Sequence, residues 1–179
     1  MVICAYGGAS ADVDPAYIEA SYRAGLLIGN TGAELVYGGG GTGCMGAVGR
    51  GVRDAGGNVI SVLPGFMTQY ESLLKPVAET VVTATMSERK HVMEERADAF
   101  LVLPGGIGTM DEFFETLTLK SLDRHAKPVV ILNTGGFYDP LIEMLHTFTE
   151  KGFVSKQVWE RLSITAAPEE AVGLMLAEE

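Results

Sequence analysis

Ala99-Phe-Leu-Val-Leu-Pro-Gly-Gly-Ile-Gly-Thr109 reads as a short buried strand that runs into a glycine-rich turn, and the periodic stretch 110–122 behind it reads as a helix. Upstream, Tyr37-Gly-Gly-Gly-Gly-Thr-Gly-Cys-Met-Gly46 repeats the arrangement: a strand over 34–37, a run of glycines, and a helix over 45–55. Further strands are predicted over 2–6, 59–63, 80–84, 128–132 and 162–165. Further helices are predicted from Asp14-Pro15 to about 30, and over 87–97, 138–151 and 169–177. Strands of four to six residues alternating with helices imply right-handed βαβ units. The expected fold is therefore α/β: a single doubly wound, Rossmann-like parallel sheet with helices on both faces. No linker or composition break divides 1–179, so a single domain is expected. In such sheets ligands sit beyond the carboxyl ends of the strands, where both glycine turns fall.

Composition narrows the function. The 179 residues contain 23 glycines, nearly twice the usual share of about 7%, and the glycines cluster in the turns. Thirteen basic against twenty-three acidic residues give a net charge of −10. That balance disfavours nucleic acid and anionic membranes, which bind through surplus Lys and Arg. The two cysteines, Cys4 and Cys44, cannot build a disulfide framework, so a reducing, cytoplasmic compartment is expected. No apolar run approaches the length of a membrane span, and the N-terminus reads as a first strand.

A glycine turn leading into a helix has two readings. One is tight packing; the other is an anion cradle, in which the backbone comes close to the ligand and the helix N-terminus supplies unpaired N–H groups. Two such turns at one end of the sheet favour a single anion held from two sides. Gly41-x-Gly43-x-x-Gly46 matches the dinucleotide fingerprint, but the next strand ends in Leu63-Pro64-Gly65 and offers no acidic residue for a ribose hydroxyl. A nucleoside-triphosphate P-loop motif is absent. His91, His125, His146 and the cysteines have no metal-ligand spacing, and no metal or cofactor is expected.

Two charged features lie beside the turns. Glu112 follows Thr109 by three residues, which fits a helix-capping box or a carboxylate presented at the sheet's carboxyl end. Arg89-Lys90 falls near the start of another helix, where cations oppose the helix dipole. The pair is either exposed or partnered by a carboxylate or phosphate.

Taken together, these residues resemble the Lonely Guy (LOG) family of cytokinin-activating phosphoribohydrolases, long labelled lysine decarboxylases. Pro104-Gly-Gly-Ile-Gly-Thr-Met-Asp-Glu112 matches every fixed position of the family motif P-G-G-x-G-T-x-x-E. Met86-Ser-Glu-Arg89-Lys90, Ala97-Asp-Ala-Phe100 and Tyr37–Gly46 match its upstream patterns. The resemblance implies hydrolysis of the N-glycosidic bond of adenine-type nucleoside 5′-monophosphates, giving free base and ribose 5-phosphate. It makes Glu112 and Arg89 the catalytic pair, with Arg89 pinning Glu112 or a ribose hydroxyl. It places Ser10, Gly40, Gly43, Lys90, Gly105, Gly106, Gly108 and Thr109 around the phosphate, and it implies a homodimer. The apolar residues Met93, Phe113, Phe114 and Leu117 are either part of that interface or ordinary core.

Three departures stand out. The first loop reads Gly7-Gly8-Ala9-Ser10 where the family often has C-G-S-S. Leu119-Lys-Ser-Leu-Asp123 replaces the plant-type W-[AS]-Q-L-G. Glu71 lies where members often carry a substrate-contacting glutamate, with irregular spacing around it. The competing reading is a non-catalytic nucleotide or molybdenum-cofactor carrier on the same fold, which needs the glycine turns but not Arg89 with Glu112. An amino-acid decarboxylase has no recognisable pyridoxal-phosphate lysine context here.

Overall fold

A computed structural model describes residues 1–69 and 72–177. Seven strands form one sheet: β1 (Val2–Tyr6), β2 (Glu34–Tyr37), β3 (Val59–Pro64), β4 (Glu79–Thr83), β5 (Ala99–Val102), β6 (Val129–Leu132) and β7 (Leu162–Thr165). Their order is β4-β3-β2-β1-β5-β6-β7, and every neighbouring pair is parallel. The doubly wound sheet is as expected. After β4 the chain crosses over the sheet to β5, so the crevice between the carboxyl ends of β1 and β5 is the switch point where such folds bind ligands.

The helices are α1 (Pro15–Asn30), α2 (Gly43–Asp54), α3 (Met86–Arg96), α4 (Ile107–Ser121), α5 (Asp139–Glu150), α6 (Lys156–Glu160) and α7 (Pro168–Leu176). Successive strand residues point to opposite faces. Ile3, Leu35 and Leu101 enter the core beneath α1, α2 and α7, while Cys4, Val36 and Phe100 enter the core beneath α3, α4 and α5. Met93, Phe113 and Leu117 are buried core residues; only Phe114 of the four is partly exposed.

Helix starts are where sequence and structure differ. Helix α2 begins at 43 and α4 at 107, two and three residues earlier than the periodicity predicts. Five-residue α6 is too short to show a period, and no helix is predicted there. Of the two readings of Thr109-x-x-Glu112, the capping box does not form. Gly106 is the N-cap of α4, so Thr109 and Glu112 are the third and sixth helical residues. A related reciprocal cap lies on α3: the N-cap Thr85 accepts the Glu88 N–H on its Oγ1 at 3.1 Å, and Glu88 Oε2 accepts the N–H of Ala84, just before the cap, at 2.7 Å. Glu112 therefore lies beyond the capping position of its helix.

Candidate active site

Helix α3 crosses from β4 to β5 and lies alongside the start of α4, which places Arg89 opposite Glu112. Arg89 Nη2 stands 3.2 Å from Glu112 Oε1. Each residue is only 5% exposed. Burying two opposite charges is costly unless their remaining groups are also bonded. Here Arg89 Nε has no hydrogen-bond partner among the described residues, and Nη1 reaches only the Met86 sulfur, at 3.8 Å. A buried guanidinium with spare donors has the chemistry to bond further oxygen acceptors.

The pair lies at a cavity of about 280 Å³. Gly106, Gly108 and Thr109 of the α4 N-terminus form one wall, and Met45, Met67 and Met86 supply thioethers. Met110 N–H makes an intrahelical bond to Gly106 O, so the N–H groups of 107–109 precede the ladder at the positive end of the helix. A Cβ on Gly106 or Gly108 would meet nothing within 4 Å, so the packing of the chain does not require glycine at either position. Gly105 differs: its Cβ would lie 2.1 Å from Thr109 Oγ1 and 2.8 Å from Gly8 N. Gly8 N–H donates to Pro104 O, tying the loop after β1 to the turn after β5. Tyr138, missed by the sequence reading, donates its hydroxyl to Leu103 O at 2.7 Å and steadies the same turn from below. Burial pushes that phenol up, so it remains a donor.

The other sequence-predicted residues lie elsewhere. Gly43 has φ +60°, and a Cβ there would fall 2.5 Å from both Gly8 O and Ser10 O. Gly40 pairs with Leu73 in an isolated bridge, and its N–H points at Met45 Sδ. Neither lines the cavity. Ser10 lines an adjoining, mainly apolar cavity of about 290 Å³ with Tyr17 and Phe137; the two cavities share Gly8 and Gly106. Lys90 also stands outside the cavity. Its ammonium is held by Asp111 at 3.0 Å and by Glu115, and hydrogen bonding to Glu115 raises its pKa most. The cation pair of α3 is therefore partnered by carboxylates of α4. Glu71 lies outside the described residues.

Beneath the pair lies a polar layer that periodicity could not reveal. Tyr6 OH and Thr116 Oγ1 are 2.9 Å apart, and Thr116 lies 3.3 Å from Glu94 Oε1. Burial pushes Cys4 and Tyr6 up first, and the Glu112 carboxylate adds to both. Both groups are thereby held in their neutral forms.

A family model described as "Possible lysine decarboxylase" matches residues 45–175. The cytokinin riboside 5′-monophosphate phosphoribohydrolase LOG of Oryza sativa subsp. japonica is 38% identical over 176 residues, which is 98% of this chain and 72% of the rice protein. The chain belongs to the LOG family. The cytokinin riboside 5′-monophosphate phosphoribohydrolase of Mycobacterium tuberculosis (strain ATCC 25618 / H37Rv) is 40% identical over 147 residues, covering 82% of this chain and 79% of its own. Among solved structures, the molybdenum cofactor carrier protein of Chlamydomonas reinhardtii superposes with a TM-score of 0.74 at 26% identity, covering 99% of this chain and 98% of that one. The molybdenum cofactor binding protein of Rippkaea orientalis, at 21% identity and TM-score 0.71, shares the fold. In this LOG-family chain the motif P-G-G-x-G-T-x-x-E contributes exposed glycines at 106 and 108 and a buried charge at 112.

Proposed function

We propose that this chain hydrolyses the N-glycosidic bond of adenine-type nucleoside 5′-monophosphates, plain or N6-substituted as in cytokinin nucleotides, releasing free base and ribose 5-phosphate. The carrying observation is the buried Arg89–Glu112 pair beside the open N-terminus of α4. The 5′-phosphate is assigned to the N–H groups and hydroxyl of Gly106, Gly108 and Thr109. Gly105 is assigned to shaping that turn, with Ser10 at its rim. Held there, C1′ falls over Glu112.

Cleavage passes through an oxocarbenium-like transition state. The carboxylate of Glu112 opposes the charge that grows on C1′. The C1′–N bond breaks with its electron pair going to the base, water adds its oxygen to C1′, and the base leaves protonated at a ring nitrogen. Arg89 holds Glu112 in place and turns its spare donors toward a ribose hydroxyl. The carrier reading uses the turn alone and leaves the cost of burying Arg89 with Glu112 without a purpose.

A homodimer is part of the proposal. Ile107, the first residue of α4, is 90% exposed, and Phe153 is 85% exposed. Ile107 stands between the site glycines 106 and 108, and Phe153 lines a separate groove with Phe114 and Leu117; apolar groups this exposed suit contact with a second copy. Light scattering is expected to give twice the 19.0 kDa chain mass; a monomer at micromolar concentration would remove this part of the proposal. Buried, unpaired Cys4 and Cys44 fit the reducing cytoplasm. Chromatographic detection of free base from AMP and N6-isopentenyl-AMP tests the activity itself. Release from neither would reject it.

A further inference from the structure

Gly38 opens the turn after β2 without a torsional reason to be glycine. The left-handed backbone belongs to its neighbour Gly39, at φ +85°. What excludes a side chain at 38 is one group. A Cβ there would lie 2.0 Å from Arg89 Nη2, 3.1 Å from Arg89 Cζ and 3.3 Å from Met45 Cε. All three nearest atoms are side-chain atoms, and the first is the nitrogen that meets Glu112 Oε1. Other glycines of the same turn are hemmed in by backbone: Cβ atoms on Gly41, Gly43 and Gly46 would strike Ser72 O, Gly8 O and Gly41 C. Adding a methyl at those positions disturbs the fold. Adding one at 38 disturbs the ion pair.

We propose that Gly38 is a positioning residue: its missing side chain is the slot that seats the Arg89 guanidinium against Glu112. The role rests on the reaction proposed above, since it acts on that reaction's charged pair. Restoring ordinary contact from 2.0 Å requires Nη2 to withdraw by more than about 1 Å, and misplacement on that scale costs on the order of 100-fold in rate.

The test is Gly38→Ala, alone and combined with Arg89→Lys. The single variant is expected to fold and to lose about 100-fold in kcat on AMP, with a clearly smaller rise in KM, because the phosphate seat on α4 is untouched and only the ribose contact of Arg89 is displaced. In the Arg89→Lys background the same change is expected to cost less than about 3-fold, since the shorter ammonium does not fill the slot. Additive losses, or a Gly38→Ala variant as active as the wild type, would overturn the proposal. So would failure of both variants to fold, which would assign Gly38 to packing. A crystal structure of Gly38→Ala supplies an arm independent of turnover. Nη2 is expected beyond about 4 Å from Glu112 Oε1, outside ion-pair range; retention of the present contact overturns the slot. If the wild-type chain cleaves no nucleotide, the reaction falls while this structural arm still decides the seat.

Discussion

The glycine turn after β2 and the glycine turn after β5 look alike in sequence and do different things in the molecule. In the first, glycine is demanded by the chain itself. At Gly38, Gly41, Gly43 and Gly46, a backbone or side-chain atom lies 2.7 Å or less from where a Cβ would stand. In the second, Gly105 is crowded, but Gly106 and Gly108 open onto the cavity with nothing near them. One turn packs α2 onto the loop after β1 and leaves room for Arg89. The other leaves a helix end with no side-chain cap opening onto the cavity. A run of glycines thus states only that something comes close to the backbone. Whether it is the protein or a ligand is decided by what folds against it.

The largest effect expected from this contrast is at the charge the second turn carries. Glu112→Gln keeps the volume and still accepts a hydrogen bond from Arg89, but it offers no negative charge to C1′. Turnover of AMP is expected to fall at least ~100-fold, about 2.7 kcal/mol of transition-state stabilisation. Loss of the charge beside buried Arg89 also costs about 1–3 kcal/mol of stability, a drop of several degrees in Tm. Near-normal turnover in a folded variant would remove Glu112 from the chemistry.

Next comes the packing turn. A Cβ at Gly46 would sit 2.1 Å from Gly41 C and 2.2 Å from Gly41 O, both backbone atoms within a buried helix start. Gly46→Ala is expected to lose about 3 kcal/mol, or roughly 10 °C in Tm. Unfolding within about 2 °C of the wild type would show the first turn to be looser than described. The mirror-image change, Gly106→Ala, meets open space and should leave Tm within a few degrees. It narrows the approach to the phosphate seat, and KM for AMP is expected to rise about 10-fold, about 1.4 kcal/mol of binding. A variant with altered Tm and unaltered KM would reverse the assignment of the two turns.

Much of this is legible in the sequence, for identifiable reasons. The strands at 2–6, 34–37 and 162–165 are bounded by strong turn signals and appear with those limits. The alternation of strand and helix points to the parallel sheet, because only one hand of crossover is favoured. The start of α4 is misplaced because the capping-box spacing Thr109-x-x-Glu112 is genuine as a pattern, while Gly106 caps the helix three residues earlier with no side chain to announce it. The pairing of Arg89 with Glu112 and of Lys90 with Asp111 and Glu115 follows from two helices crossing, which no local pattern encodes. Gly38 and Tyr138 are illegible for the same reason: each matters through a residue far away in the chain, Arg89 in one case and Leu103 in the other.

The central claim is that the turn after β5 exists to hold a phosphate at a fixed distance from the bond that breaks. Adenosine and AMP, at equal concentration, provide the most direct test, with free adenine followed in both. Cleavage of AMP is expected to exceed that of adenosine by at least ~100-fold in kcat/KM. Several backbone N–H bonds to a dianion, each worth roughly 1.5–3 kcal/mol, cover the ~2.7 kcal/mol this ratio requires. Equal rates on the two substrates would mean that the glycines at 106 and 108 face no anion, and the account of the site would be contradicted.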